Sequence, residues 1–273
     1  MKTYYICSDT HSYFTEFKSA LEAAGFNIEN KDDVLVILGD MLDRGPGAKE
    51  IIEYVLNLPA NRFFYIIGNH DVLLLELLQT LKNKDHIHSA HKSNGTLNTI
   101  TQFTGLSETD LLMGVYDYEK DIENNKFIKK FKKLIIERAT NFLETDHYIF
   151  THGYIPVKKG LKGDKEVYLY DPEWREVTAN WEEAQWLNGM EVCHAGIKEK
   201  GKTIVCGHFH SSWGHSHITQ DRKEFPPKSS KDFAKSFEPY KEKGIIAIDA
   251  CTAYSGIVNV LKLKDSELWE LNE

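Results

Sequence analysis

What most limits the fold of this chain is a recurring pattern: a short apolar run that stops abruptly at glycine, aspartate, asparagine or histidine. It occurs five times, in TYYICSD (3–9), VLVILGD (34–40), RFFYIIGN (62–69), HYIFTHG (147–153) and TIVCGH (203–208). Runs of this length, rich in β-branched and aromatic residues, predict buried strands rather than helices. Between the first three lie segments with apolar residues at helical spacing. Phe14, Phe17, Leu21 and Ala24 mark one; Ile51, Ile52, Val55 and Leu56 mark the other. Strand and helix in alternation predict parallel strands joined by right-handed crossovers, hence an α/β fold. GIIAIDA (244–250) and GIVNVLKLK (256–264) read as a hairpin-like strand pair, so a second sheet packed on the first is expected.

Two segments break the rhythm. Residues 72–145 form a helical insertion, with apolar helices at 71–82 and 127–143 and a polar loop at 82–95. In the second helix Phe127, Phe131, Leu134 and Ile135 make one stripe, and its lysines read as a solvated face. His86, His88 and His91 in the loop read as surface residues. Residues 220–243, rich in lysine, serine and proline, read as a lid-like loop excursion. Both insertions interrupt one continuous core, so a single domain over 1–273 is expected, and 273 residues suffice to bury it.

Side chains two apart on a strand point the same way, so Asp9 and His11 project together where the first strand runs out. The second run leads to Asp40, Asp43 and Arg44, and the third to Asn69, His70 and Asp71. The fourth leads to His152 and the fifth to His208 and His210. Ligand sites of open α/β sheets lie at the carboxyl ends of strands, so these residues should converge on one rim. A lone D-x-H or N-H is usually a helix cap or a hydrogen-bonded turn. Every strand end carrying one is hard to obtain by chance. Carboxylate, imidazole and amide oxygen without thiolate suit manganese, iron or zinc. The candidates are too many for one four-coordinate ion and fit two, with a carboxylate as bridge.

SDTH, GDMLDRG, GNHD, THG and GHFH resemble the successive motifs of the calcineurin-like metallophosphoesterase superfamily, and GDMLDRG is similar to its serine/threonine phosphoprotein phosphatase branch. The resemblance implies a two-sheet β-sandwich flanked by helices, in four layers αββα. It implies a first metal on Asp9, His11 and Asp40, and a second on Asp40, Asn69, His152 and His208, with Asp40 bridging. GHFH departs from the GHT of the phosphoprotein phosphatases and follows the wider group, which adds His210 to the first metal. A metal-bridging hydroxide would attack phosphorus, His70 would protonate the leaving oxygen, Asp43 would orient His70, and Arg44 would clamp the phosphoryl group. Arg175 stands about where the phosphatase branch has a second clamping arginine. Two divalent ions are implied, manganese first, with iron or zinc as alternatives.

The expected partner is therefore a phosphorylated substrate: a phosphoprotein, a nucleotide or a small phosphoester. Three readings compete. The first is a Ser/Thr-phosphatase-like phosphomonoesterase. The second is a dinucleoside polyphosphate hydrolase or phosphodiesterase on the same centre, favoured by GHFH and by tryptophans able to stack on a base. The third is a non-catalytic scaffold, disfavoured because His70 and the ligands are all present. A formal charge of −8 argues against a nucleic-acid-binding surface. Cys7, Cys193, Cys206 and Cys251 form no C-x-x-C pair and read as buried free thiols of a reducing cytoplasm. The N-terminus reaches polar residues too soon for a signal peptide, and no run approaches the roughly 20 apolar residues of a membrane span.

Overall fold

The computed structural model describes residues 2–176 and 178–264. Its strands are β1 (Thr3–Cys7), β2 (Asp33–Leu38), β3 (Phe63–Ile66), β4 (Ala139–Thr140), β5 (Phe142–Glu144), β6 (Tyr148–Thr151), β7 (Val157–Lys162), β8 (Lys165–Tyr170), β9 (Thr203–Cys206), β10 (Tyr240–Glu242), β11 (Ile245–Ala247) and β12 (Leu261–Lys264). They form two five-stranded sheets, β12-β1-β2-β3-β4 and β10-β11-β9-β6-β5, while β7 and β8 stand apart as a hairpin. The five anticipated strands are β1, β2, β3, β6 and β9. The first three run parallel in one sheet and the last two parallel in the other. On the first sheet lie α1 (Phe14–Ala24), α2 (Ala48–Leu56), α3 (Asn69–Asn83), α4 (Ser89–Ser93), α5 (Thr96–Thr104), α6 (Glu108–Leu112) and α7 (Lys126–Arg138).

The unbroken apolar run of β2 is explained by burial on both faces. Val34, Val36 and Leu38 point inward and meet Tyr148, Phe150, Val205 and Ile246 of the second sheet. Leu35 and Ile37 point outward and pack under Phe17, Ile52, Leu77 and Phe131 of the helices. The far face of the second sheet, Ile204, Cys206, Ile245 and Ala247, is covered by Trp174, Trp181 and Met190. Helices, sheet, sheet and helices thus make the four-layer sandwich, and each fully buried aliphatic contributes about 1.5–3 kcal/mol.

Four expectations are corrected. The 244–264 strands are not a hairpin: β11 pairs with β9 and β10, whereas β12 runs antiparallel to β1 in the other sheet. The hairpin forms one step earlier, because Gly244 at φ +96° supplies the left-handed turn between β10 and β11. The 220–243 excursion consequently ends in a strand, and its Phe237 is fully buried. The helix expected to reach residue 143 stops at Arg138, where β-prone Thr140 and Phe142 pair with β3 and β6 and carry the chain between sheets. In the 82–95 loop, His86 and His88 are exposed as expected, His88 capping α4 by accepting from the Ala90 N–H at 3.2 Å, but His91 is buried. Among the described residues no helix is long and apolar enough to cross a membrane.

Candidate active site

Four of the five strand ends open on one cavity of about 250 Å³, lined by Asp9, His11, Asp40, Arg44, Asn69, His70, Asn94, Trp186, His208, Phe209, His210, Asp249 and Cys251. His152 lies beneath it, its Nε2 3.4 Å from Asp40 Oδ2. The backbone around the cavity is strained. Of ten described non-glycine residues at positive φ, seven belong to this site: Asp9, His11, Asp40, Asp43, Arg44, His208 and Cys251. Such conformations cost about 1–3 kcal/mol each and persist only where the surroundings enforce them. Gly39 shows how tight the enforcement is. It has φ +80°, and a Cβ there would stand 2.7 Å from both the Gly68 Cα and the His152 Nδ1.

Two groups of ligand-competent atoms converge. His11, Asp40 and His70 place one atom each within 4.8 Å of one another, and so do Asp40, His152 and His208; Asp40 is common to both. Backbone carbonyls fix the imidazole tautomers. His11 Nδ1 donates to the Leu42 carbonyl at 3.0 Å, leaving the Nε2 lone pair toward the cavity. His152 Nδ1 donates to the Leu38 carbonyl at 2.6 Å, and its Nε2 faces Asn69 Oδ1 at 2.9 Å. His208 Nδ1 lies 3.0 Å from the same Asn69 Oδ1. Outer hydrogen bonds like those of His11 and His152 are what orient metal-ligating imidazoles.

The electrostatics show the same demand for positive charge. Burial disfavours the His152 cation, but Asp40 outweighs it and pushes the pKa up to about 10. Asp40 itself, although burial opposes ionisation, is held well below the usual carboxylate range by His152 and His70. Burial and His152 push His208 down to about 3, so it stays neutral and ready to ligate. Burial raises Asp9 to about 6. Arg44 supplies the remaining charge, its fork donating to His11 Nε2 at 3.0 Å and His70 Nε2 at 3.1 Å. Acceptors without hydrogens, filled by a proton and a guanidinium, fit a divalent metal centre. Binding must then expel the His152 proton, so near pH 8 manganese uptake should release about one proton per protein. Calorimetry in buffers of different ionisation enthalpy checks this. In the metal-free protein the raised His152 pKa stabilises the fold fully below pH 6.5, and that contribution is lost as pH rises toward 10.

Beside the ligands lies a second array. His70 Nδ1 donates to Asp43 Oδ2 at 2.7 Å, and Asp43 is completely buried. Thr99 donates to Asp43 Oδ1 at 2.6 Å, and Thr96 to Oδ2 at 3.1 Å. The Asp43 N–H in turn donates to the Thr99 hydroxyl at 3.0 Å. Both threonines come from α5, so the insertion braces the site. Sequence reading passed over them, and over Asn94, Asp249 and Cys251. Asp249 had a signal: IIAID is a sixth apolar run ending in a carboxylate.

Three expected residues sit differently. Asp9 lines the cavity, yet its Oδ2 is taken by the Ser8 hydroxyl and by the His208 N–H at 2.9 Å. His210 joins neither converging group: its Nδ1 meets Ser212 Oγ at 2.9 Å, and its Nε2 lies 3.4 Å from Glu224. Arg175 is not brought to the cavity. Its guanidinium donates bidentately to Glu144 at 2.9 and 2.7 Å and to Glu199 at 3.1 Å, and lies 4.1 Å from the Trp174 ring centroid. Arg175→Ala is therefore expected to leave KM for a phosphate substrate unchanged and to cost about 1 kcal/mol or less of stability, since the pair is partly exposed. Steady-state kinetics and urea unfolding check both. His215 and His217, more distant in sequence, contact Glu238 and Trp213 instead of the cavity.

Comparison with known proteins agrees with this geometry. A symmetrical bis(5'-nucleosyl)-tetraphosphatase of Wigglesworthia glossinidia brevipalpis is 35% identical over 80 residues, covering 29% of this chain and 28% of that protein. Its counterpart from Serratia proteamaculans is 40% identical over 87 residues, covering 30% and 29%. The chain thus spans under a third of the length of these relatives. A solved mutant of a cold-active protein tyrosine phosphatase superposes with a TM-score of 0.50 at 14% identity, over 97% of this chain and 76% of that one, which shows the fold alone. The family model described as calcineurin-like phosphoesterase matches residues 2–240. With sandwich, strand-end site and family model in agreement, the chain belongs to the calcineurin-like phosphoesterase family.

Proposed function

We propose that the protein is a dinuclear-metal phosphoester hydrolase acting on dinucleoside polyphosphates. The observation that carries the hydrolase reading is the sharing of Asp40 between two ligand groups at the strand-end rim. The similarity to tetraphosphatases supports the substrate class. Asp40 would hold both ions, with Asp9 and His11 on one side and Asn69, His152 and His208 on the other. Manganese suits this donor set. When bound, the ions supply Lewis-acid charge for the phosphoryl oxygens and lower the pKa of water.

The chain's own residues supply the rest. The planar fork of Arg44 at the cavity wall binds phosphoryl oxygens. His70 delivers a proton to the departing oxygen, and Asp43, held by Thr96 and Thr99, fixes the tautomer that presents Nε2 to the cavity. Four free thiols, three buried and Cys251 partly exposed at the cavity, suit a reducing cytoplasm. A phosphomonoesterase of the Ser/Thr-phosphatase type is the second reading, supported by GDMLDRG. Manganese-loaded protein assayed on diadenosine tetraphosphate, a phosphopeptide, nitrophenyl phosphate and its bis-ester decides between them. Preference for the phosphopeptide would favour the second reading, and inactivity on all four would sink both.

A further inference from the structure

The described tryptophans separate by exposure. Trp174 is fully buried, Trp181 is 7% exposed and Trp213 is partly buried against Phe209, whereas Trp186 is 53% exposed and lines the cavity. Its ring centroid lies 5.7 Å from that of His208, edge to face. Aromatic contact continues from His208 to Phe209 at 6.2 Å, to His210 at 5.3 Å and to Phe225 at 4.9 Å. Along this run Trp186 and Phe225 are the large hydrophobics left about half exposed, and Phe225 packs on Tyr254 at 5.3 Å.

The backbone under Trp186 is rooted. Its N–H donates to the Glu183 carbonyl at 3.0 Å. Gly153 permits the approach, because a Cβ there would collide with the Ala184 and Gln185 carbonyl oxygens. A large ring on an anchored backbone, left half in water at the mouth of a phosphate site, is placed to receive a ligand rather than to complete a core.

We infer that Trp186 is a stacking platform for a planar aromatic group, a nucleobase above all, carried by the substrate. The assignment rests on the phosphoester hydrolase reading and adds the residue that recognises the non-phosphate part. Stacking on an indole face tolerates any base, so adenine and guanine nucleotides should be accepted alike.

The test is calorimetric binding of adenosine monophosphate and of ribose phosphate to manganese-loaded protein, in wild type, Trp186→Ala, Trp186→Phe and Phe225→Ala. The wild type should prefer the nucleotide. Trp186→Ala should weaken nucleotide binding roughly tenfold, the loss of one stacked base, without changing ribose phosphate binding. Trp186→Phe should restore most of the difference. Equal weakening of both ligands in Trp186→Ala would reduce the residue to a support for His208 and overturn the platform. Loss of the preference in Phe225→Ala alone would move the platform to Phe225 and overturn the assignment. Hydrolysis by a wild type without base preference removes the platform but leaves the hydrolase. A wild type that binds neither ligand and hydrolyses no phosphoester removes both.

Discussion

Asp40→Asn is expected to empty both metal positions, whereas His11→Ala and His208→Ala each empty one. The asymmetry follows from geometry: Asp40 is the only residue common to the two converging groups. Its Oδ1 accepts the His70 N–H at 2.9 Å, and its Oδ2 lies 3.4 Å from His152 Nε2. The amide replacement keeps the size but removes the charge that draws cations to either side. Losing several kcal/mol of transition-state charge stabilisation should reduce kcat/KM by roughly a thousandfold or more. The metal-free fold should suffer as well. His152 owes its raised pKa chiefly to Asp40, and stripping one partner from a buried ion pair costs about 3–5 kcal/mol. Metal content per protein, measured by elemental analysis beside the melting temperature, separates the effects. Two ions retained in Asp40→Asn, or both lost in His208→Ala, would remove Asp40 as the bridge.

Much of this was readable in the chain, for a definite reason. A strand buried on both faces must be apolar throughout, so its end is marked by the first polar residue, as at Ile37, Leu38, Gly39 and Asp40. Position along such a strand therefore encodes position at the rim. The parts that escaped are those whose signal is not periodic. Thr96 and Thr99 look like ordinary helix surface, yet both hydroxyls serve Asp43, more than fifty residues earlier. The β7–β8 hairpin is largely exposed, so no apolar alternation announces it. β11 and β12 read as neighbours because they are consecutive, and only pairing across the sandwich separates them. Arg175 stood at a plausible distance along the chain, but Glu144 and Glu199 had already taken its donors.

The second large effect concerns His70, which the geometry allows two roles. It converges with His11 and Asp40 as a ligand would, yet its Nδ1 is committed to Asp43, as in a proton-delivering pair. Proton delivery is the role proposed above, and the Asp43 carboxylate would serve it by making His70 a better proton carrier. Burial pulls its pKa down, but Asp40 and Asp43 overcome this and raise it above the ordinary value. His70→Ala should then lower kcat by about 10²–10⁴-fold, the usual contribution of one positioned acid, while both ions stay bound. The loss should be smallest with nitrophenyl phosphate, whose leaving oxygen needs little protonation, and largest with an alkyl phosphate. Asp43→Asn should act in the same direction but less severely. It removes a charge that raises the His70 pKa, so the alkaline limb of kcat/KM should move to lower pH. A ligand role predicts the opposite on each count: one ion lost on elemental analysis, and equal damage to good and poor leaving groups.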